Sequence, residues 1–455
     1  MSCRHDLANG TCSRCYPATG KVDPGPEEDY EPNLEGPGAV SAARERPIEL
    51  ARPEDLAVKP EIALHLMVKN GESVVGRLLD QVGPYLAEVV AVLNDCSDGT
   101  DARLRGKCAE HGLAYQGIEV SSRTHPDLYI VDVPETYQVG EPLCGELYEG
   151  PFVGRPILAD WATARNVGWE KSRSAWKLHL DADDVVDDPH CLPGLCRVLE
   201  ERGLHVASSR YHYDRARSGS WRADAFRERL ARDVPGIRWR GVVHECLAGY
   251  APGRVAHVEG NLVVRDLRDS RGTEIRIPGR NFKILYHRAR RRGWSISPRE
   301  MVYLGAEARH LMPTLAARLL ERACETSSWA EERAWAASMR GELYEEDELF
   351  AQASAWYRQS LQLHPGALAA FRLARSSFRE RRWQDVVDAY ARGVKNARRP
   401  QLLDGGELYE AATKIFVAAA LRELGRHAES AEMFRQAREA FPRNAALREL
   451  AGDLG

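Results

Sequence analysis

Short apolar runs alternate with helical patterns in the first half of this chain. Residues 62–68 and 89–93 are mostly apolar and predict strands, residues 115–120 resemble a third strand, and 74–82 and roughly 100–112 show helical spacing. Strands that alternate with helices predict a parallel sheet with right-handed crossovers. Ligands of such sheets bind beyond the carboxyl ends of the strands. The polar residues that follow the strands are therefore candidates for a binding site.

The pattern changes near residue 300, where strand signals end and helices rich in Ala, Leu, Glu and Arg take over. An aromatic residue, a small residue and a proline recur in three groups: Tyr357, Ser360 and Pro365; Tyr390, Gly393 and Pro400; Phe434, Ala437 and Pro442. The first two groups are spaced by about one tetratricopeptide period of roughly 34 residues, and the third lies further on. The pattern predicts tetratricopeptide-like repeats, with a plain helical bundle as the alternative.

The N-terminal end differs from both halves. Residues 1–20 contain four soft metal ligands, Cys3, His5, Cys12 and Cys15. A Cys-x₂-Cys pair with a second Cys/His pair suits one tetrahedral Zn²⁺, so we predict a small structural zinc knuckle there; the alternative is a disordered tip with incidental thiols. Residues 21–59 are crowded with Pro, Gly and Glu and predict a flexible linker.

Composition narrows the functional classes. The chain has 455 residues and a net charge of -4, which gives no overall attraction to nucleic acid. The basic stretch 280–292 reads as an amphipathic connecting helix rather than a nucleic-acid site. No apolar stretch is long enough for a bilayer, and the N-terminus lacks a signal-peptide core. We therefore expect a cytoplasmic protein whose ten cysteines are reduced thiols or metal ligands.

The strongest chemical signal is an acidic cluster. A helix pattern over 160–169 and a strand pattern over 176–180 lead into Asp181-Ala182-Asp183-Asp184. Two carboxylates separated by one residue at a strand end can face one hard divalent cation, which in turn binds the phosphates of a nucleotide diphosphate. A solitary Asp-x-Asp is more often a solvated turn, so the interpretation depends on the motifs around it.

Four further motifs accompany the cluster in order along the chain: Lys69-Asn70-Gly71-Glu72, Asn94 to Thr100, Asp160 to Asn166, and Arg229 to Arg232 followed by His244-Glu245. With these motifs the sequence resembles family 2 glycosyltransferases of the GT-A fold that carry tetratricopeptide repeats after the catalytic domain. The resemblance implies an α/β GT-A domain, which is a Rossmann-like nucleotide-diphospho-sugar transferase fold, over residues 60–265. A connecting helix region over 266–300 and an all-α repeat domain over 301–455 would follow.

The resemblance also implies roles for individual residues. Residues expected to bind the donor are Asn70, Glu72, Asn94, Asp95, Asp160, Arg165, Asn166 and Asp181. Residues expected to hold Mn²⁺ or Mg²⁺ are Asp183, Asp181 and, as a third ligand or phosphate contact, His244. Candidates for the general base are Glu245, which we favour, and Asp184. A long insertion between Glu119 and Asp160 is placed to cover the sugar or the acceptor.

The function implied is inverting transfer of a hexose or N-acetylhexosamine from a nucleotide-diphosphate-sugar donor to an acceptor such as Ser/Thr of a protein. Alternative acceptors are a lipid, a saccharide or a peptide cysteine. A second class of function is a non-catalytic scaffold in which only the repeats bind a protein partner. Repeat arrays also make a homo-oligomer plausible.

Overall fold

The computed structural model describes residues 61–130, 138–139, 141–142, 156–215, 221–251, 253–258, 263–266, 279–395 and 406–440. We call residues 61–266 the sheet region and residues 279–440 the helical region. The predicted zinc knuckle, the predicted linker over 21–59 and most of the long insertion lie outside the described residues.

The strands are β1 Ile62–Val68, β2 Glu88–Asn94, β3 Ala114–Val120, β4 Tyr129–Ile130, β5 Gln138–Val139, β6 Glu141–Pro142, β7 Ile157–Leu158, β8 Trp176–His179, β9 Asp184–Asp187, β10 Val206–Arg215, β11 Trp221–Arg232, β12 Arg238–Arg240, β13 Cys246–Ala248, β14 Val255–Val258 and β15 Val263–Asp266. The helices are α1 Glu72–Val82, α2 Thr100–His111, α3 Trp161–Trp169, α4 Leu192–Glu201, α5 Arg280–Arg291, α6 Pro298–Ala308, α7 Pro313–Thr326, α8 Ala330–Glu346, α9 Phe350–Leu363, α10 Ala367–Arg379, α11 Trp383–Tyr390, α12 Gly406–Glu423 and α13 His427–Ala440.

One mixed sheet organises the sheet region. Within the described residues it runs in the order β3-β2-β1-β8-β11-β10-β15-β9, and β14 also pairs with β10. Strands β3, β2, β1 and β8 are parallel to one another, whereas β11 is antiparallel to β8. The carboxyl ends of the four parallel strands therefore meet at one edge, which we call the carboxyl edge. This confirms the α/β fold predicted from the sequence.

Burial explains why these segments form a sheet. Every residue of β1 is buried, as expected for a central strand covered on both faces. Helix α1 covers one of these faces with an apolar stripe, in which Val75, Leu78, Leu79 and Val82 are fully buried. The loops at the carboxyl edge are thus carried by rigid, fully packed elements.

The helical region is built from antiparallel pairs, α6 with α7, α8 with α9, α10 with α11, and α12 with α13. Each pair also packs on its neighbour, as repeat arrays do. Gly341 of α8 allows the close approach, because a Cβ there would lie 2.5 Å from the ring of Tyr357 on α9. Gly393 has the same role beside Ala370. The predicted tetratricopeptide-like arrangement is confirmed.

The two regions share a core. Ile130, Ile157, Val242 and Val243 of the sheet region belong to the same buried apolar cluster as residues of α5 to α8. Helix α5 lies within the predicted connecting region, but it contributes core residues such as Phe282 rather than only spanning a gap. The first helices of the array are therefore fixed against the sheet region.

Within the described residues, no helix is both long enough and apolar enough to cross a membrane. The six cysteines in the described part of the chain are all free thiols, as the sequence predicted for the chain: Cys96, Cys108, Cys191, Cys196, Cys246 and Cys324.

Candidate active site

The loops after β1 and β2 are bonded to each other at the carboxyl edge. The Asn70 side chain accepts from the Ser97 N–H at 2.8 Å, and the Glu72 carboxylate accepts from the Gly99 N–H at 3.0 Å. The Thr100 hydroxyl accepts in turn from the buried Gly71 N–H at 2.8 Å. Asn70 and Glu72, both predicted to bind the donor, thus use oxygen atoms to fix the neighbouring backbone.

Asn94 and Asp95 end β2 in different environments. Asn94 is buried, and its side-chain oxygen accepts from the Tyr129 hydroxyl at 2.7 Å. Asp95 remains exposed and lies 3.5 Å from the Lys69 ammonium. Asp95 also has a φ of 50°, which is unusual for a residue with a side chain and typical of turns at functional sites. Of the two predicted donor residues, only Asp95 is open to a ligand in this structure.

Helix α3 uses two predicted donor residues for its own placement. Asp160 caps the helix, accepting from the Thr163 N–H at 2.9 Å. Asn166 bridges to β12, donating to the Trp239 carbonyl and accepting from the Trp239 N–H, both at 2.9 Å. These contacts fix the position of α3, and Arg165 lies between the two residues on the same helix, so its side chain is directed to the acidic cluster.

Arg165 joins the motifs predicted from the sequence. Its Nε donates to Glu245 Oε1 at 2.6 Å, and its Nη2 donates to Asp181 Oδ1 at 3.3 Å. The side chain is 9% exposed and also lies over the Trp239 ring at 5.2 Å. Charge-assisted pairs of this kind are strong and directional. The guanidinium therefore holds Asp181 and Glu245, which are far apart in sequence, on one side of the carboxyl edge.

A second arginine reaches the cluster from a β-bulge. Between β10 and β11 the register passes from Leu230 directly to Glu228, so Arg229 occupies the extra position of the bulge. Bulges beside functional sites re-aim a side chain. The buried Arg229 guanidinium lies 3.5 Å from Asp184 and 3.9 Å from Asp181.

Asp184 lies beneath this cluster and is 0% exposed. One oxygen accepts from the Tyr211 hydroxyl at 2.8 Å, and the other accepts from the Asp181 N–H at 2.8 Å. Burial raises the pKa of Asp184 to about 7, assisted by Asp181 and opposed by Arg229. Asp184 as the general base stays a prediction, and its enclosed side chain gives an acceptor hydroxyl less access than an exposed carboxylate would.

Asp183 sits at the top of the acidic loop and is only partly buried. The exposed Arg77 on α1 donates to the Asp183 backbone carbonyl at 3.1 Å. This bond holds the loop through its backbone and does not involve the Asp183 carboxylate. Asp181 is 37% exposed, but two guanidinium groups lie within 4 Å of it. Their positive charge disfavours a cation at Asp181.

The residues at this edge fit a cation that shares its ligands with a substrate. Within the described residues, no three His, Cys, Asp or Glu side chains form a group able to hold a metal ion. The oxygen donor of Asp183 suits Mg²⁺ or Mn²⁺, and Mg²⁺ commonly takes one or two carboxylates while substrate phosphates supply other ligands. His244 as a third ligand or phosphate contact stays a prediction, and the described residues contain no group of three protein ligands that includes it.

His244 faces the helical region. Its ring stacks on Tyr303 of α6 with centroids 4.1 Å apart, and its Nε2 lies 3.4 Å from the Asn281 amide nitrogen. Burial and the charges of nearby arginines lower the pKa of His244 to about 3, so the imidazole is neutral at physiological pH. Its φ of 52° is a left-handed conformation that costs a non-glycine residue on the order of 1 kcal/mol. The surrounding contacts hold this conformation.

Several residues of the site carry no role in the sequence-based prediction. Arg77, Tyr211 and Arg229 contact the acidic loop, and His179 lies 3.4 Å from Arg165. Arg229 belongs to the Arg229 to Arg232 motif of the sequence, but only the bulge shows which way its side chain is directed. Tyr211 lies within the long strand β10, and nothing in the sequence of this strand indicates a hydrogen bond to Asp184.

A mixed sheet with charged groups gathered at the carboxyl ends of its parallel strands defines a ligand-binding α/β protein of the doubly wound type. Residues 156–260 match the family described as glycosyl transferase family 2. This segment includes α3, the acidic loop, the bulge at Arg229 and the His244-Glu245 loop. Over this segment the chain is similar to family 2 glycosyltransferases, and the similarity supports glycosyltransferase activity in general.

Similar solved structures are repeat proteins that match the C-terminal part of the chain. Pseudomonas aeruginosa PilF is 15% identical with a TM-score of 0.29, covering 38% of this chain and 72% of its own. MamA of AMB-1 is 16% identical with a TM-score of 0.29, covering 38% and 88%. TPR-like repeats from Podosopora anserina are 16% identical with a TM-score of 0.27, covering 35% and 84%. No curated protein matches the chain.

Proposed function

We propose that this protein is an inverting, metal-dependent glycosyltransferase that moves a hexose or N-acetylhexosamine from a nucleotide diphosphate to a protein hydroxyl. One observation carries the proposal: at the carboxyl edge Arg165 bonds both Glu245 and Asp181, and the partly buried Asp183 follows Asp181 by two residues. The proposed base Glu245 and the carboxylate of Asp181 thus contact one guanidinium, and the proposed cation ligand Asp183 stands in the same acidic loop as Asp181.

The donor site of the proposal lies between the loop after β2 and the acidic loop. Asp95 supplies an exposed carboxylate for hydroxyl groups of the nucleoside, and the Asn70 and Glu72 side chains hold the backbone at Ser97 and Gly99, which gives the site a rigid wall. Asp183 would ligate Mn²⁺ or Mg²⁺ together with the diphosphate. A bound cation would neutralise the charge that develops on the departing diphosphate.

Glu245 is the general base of the proposal. Its side chain is 12% exposed, in contrast to the enclosed Asp184, and Arg165 fixes one of its oxygens. The other Glu245 oxygen would accept the proton of the acceptor hydroxyl while the hydroxyl oxygen of the acceptor attacks the anomeric carbon. Direct attack from the face opposite the leaving diphosphate inverts the configuration and needs no covalent sugar–enzyme intermediate.

A protein acceptor is favoured by the position of the helical region. Helices α5 to α8 share a core with the segment that contains Val242 and Val243, immediately before the His244-Glu245 loop. Repeat arrays often bind peptides on their concave surface. An acceptor bound to the array would therefore be delivered close to Glu245.

Thermal unfolding with nucleotides tests the proposal. A ligand that binds only the folded state stabilises it by about 2.7 kcal/mol at one hundred times its Kd. We expect UDP or GDP to raise the Tm by several degrees when Mn²⁺ is present, and by much less without the metal. Asp183→Ala should remove the metal-dependent part of this shift.

The exposed Asp347 at the end of α8 provides the matched control. Asp347→Ala should retain the full nucleotide shift, since it removes an equal charge far from the carboxyl edge along the chain. No shift with any nucleotide diphosphate in the wild-type protein would instead favour a scaffold without catalysis.

A further inference from the structure

The loop that carries Glu245 is held from the helical region as well as from the sheet. The Arg299 guanidinium on α6 donates to the His244 carbonyl at 3.2 Å. Tyr303, one turn along the same helix, stacks on the His244 imidazole with the ring planes 12° apart. Helix α6 therefore contacts both the backbone and the side chain of His244.

These contacts bear directly on Glu245. The His244 carbonyl and the Glu245 N–H belong to one planar peptide unit, so a bond to the carbonyl also fixes the start of Glu245. His244 has a φ of 52°, a conformation that persists only when its surroundings impose it. Glu245 then meets Arg165 at 2.6 Å on its other side. The carboxylate is thus held at its backbone by α6 and at one of its oxygens by α3.

The contacts of Arg299 and Tyr303 with His244, which we call the clamp, are supported by the repeat array. Arg299 lies over the Tyr303 ring at 5.1 Å and 3.8 Å from Glu332 of α8. Tyr303 packs edge to face on Trp335, also of α8, with centroids 5.3 Å apart. A well-packed first repeat therefore reaches the His244-Glu245 loop through two adjoining side chains.

We propose that Tyr303 and Arg299 are positioning residues for Glu245, so that the helical region completes the transferase site. This inference rests on the proposed function, because it takes Glu245 to be the group that accepts the acceptor proton. The array then has a second task besides binding an acceptor, which is to hold the base in place.

Donor turnover, measured as release of nucleotide diphosphate from a nucleotide sugar with Mn²⁺, tests the link to Glu245. Tyr303→Ala should lower kcat about ten- to hundredfold through misplacement of the base, with the donor KM unchanged within about twofold. Tyr303→Phe keeps the stacked ring and should restore kcat. When Tyr303→Ala is added to Glu245→Gln, kcat should fall less than about twofold below that of Glu245→Gln alone. The effects of two substitutions that act through the same group are not additive. Independent, multiplying losses would overturn the proposal.

Hydrogen exchange provides a readout that does not depend on turnover. Tyr303→Ala should speed exchange of the amides in residues 241–246 while the amides of β1 and β2 keep their protection. Tyr409→Ala, which removes a ring packed on Phe371 in a later repeat, is the control and should leave residues 241–246 unchanged. Unchanged exchange of this loop in Tyr303→Ala would refute the clamp. Faster exchange in a protein without any donor turnover would support the clamp and refute the proposed function instead.

Discussion

Two parts of the carboxyl edge use polar side chains in different ways. In the loops after β1 and β2, Asn70, Glu72 and Thr100 bond backbone N–H groups of the neighbouring loop. Around the end of β8, charged side chains instead bond one another, with Arg165 between Asp181 and Glu245. The first arrangement fixes the shape of the loops, whereas the second leaves a strong local field at the end of β8.

The difference separates stability from chemistry. Side chains that satisfy backbone donors contribute to folding, and their removal leaves buried groups without partners. A cluster of paired charges contributes little net stability, since desolvation offsets the attraction, and such clusters mark functional sites. Substitutions in the first part should therefore act on unfolding, and substitutions in the second part should act on turnover.

The largest effect in this comparison is expected for Glu245→Gln. The amide can still accept from Arg165 but cannot take a proton, so donor turnover should fall by about 10²- to 10³-fold. The Tm should change by no more than a few degrees. Steady-state kinetics with a nucleotide sugar measures the first quantity, and a thermal melt measures the second.

An intermediate effect is expected in the loops after β1 and β2. Thr100→Val leaves the buried Gly71 N–H without an acceptor and should cost about 2 kcal/mol of unfolding free energy in a urea titration. Turnover of the fraction that remains folded should stay within about threefold of wild type. Thr163→Val is the matched control: the exposed Thr163 hydroxyl donates to the Asp160 carboxylate at 2.9 Å, so its loss leaves no buried group without a partner and should cost less than about 0.5 kcal/mol. A large loss of turnover with full stability would reverse the roles assigned to the two parts.

The smallest effect concerns Asp184, whose pKa burial raises from 3.8 to about 7. Between these values the folded protein binds more protons than the unfolded chain, so the contribution of Asp184 to stability falls as pH rises through 7. From pH 6 to 8 the wild-type protein should lose about 1 kcal/mol for this reason. Asp184→Asn should abolish that loss, because an amide does not titrate in this pH range. Its oxygen can still accept from the Asp181 N–H and its amide group can donate to the Tyr211 hydroxyl, so the buried site stays bonded. Equal pH profiles for the two proteins would contradict the raised pKa.

The sequence predicted the elements of the fold well. Strand β1 has the bounds expected from its apolar run, and β2 and β3 begin one residue before the predicted segments. Strands β1 and β2 are apolar because the sheet buries them, so local composition carries the information there, whereas β3 lies at the edge of the sheet and is mostly exposed. The repeat pattern around Tyr357 and Ser360 was informative for the same reason, since both side chains are buried where helices pack.

The roles of polar residues were harder to predict. The sequence shows that Asn70, Glu72, Asn94, Asp160 and Asn166 carry hydrogen-bonding groups near strand or helix ends, but not whether a backbone group already occupies them. The contact of Arg229 with Asp184 depends on a bulge between two long strands, which is a long-range property. The contact of Tyr303 with His244 depends on packing between residues 59 positions apart in the chain. Local patterns do not contain such information.

Donor hydrolysis by the wild-type protein and by Asp183→Ala, screened across common nucleotide sugars with Mn²⁺, tests the central claim most directly. We predict that at least one UDP- or GDP-sugar is hydrolysed by the wild-type protein. Asp183→Ala should lower that rate on the order of 10³-fold, about 4 kcal/mol in the barrier, while melting at nearly the same temperature. Full hydrolysis by the folded Asp183→Ala variant would contradict a cation-assisted transfer at this edge of the sheet.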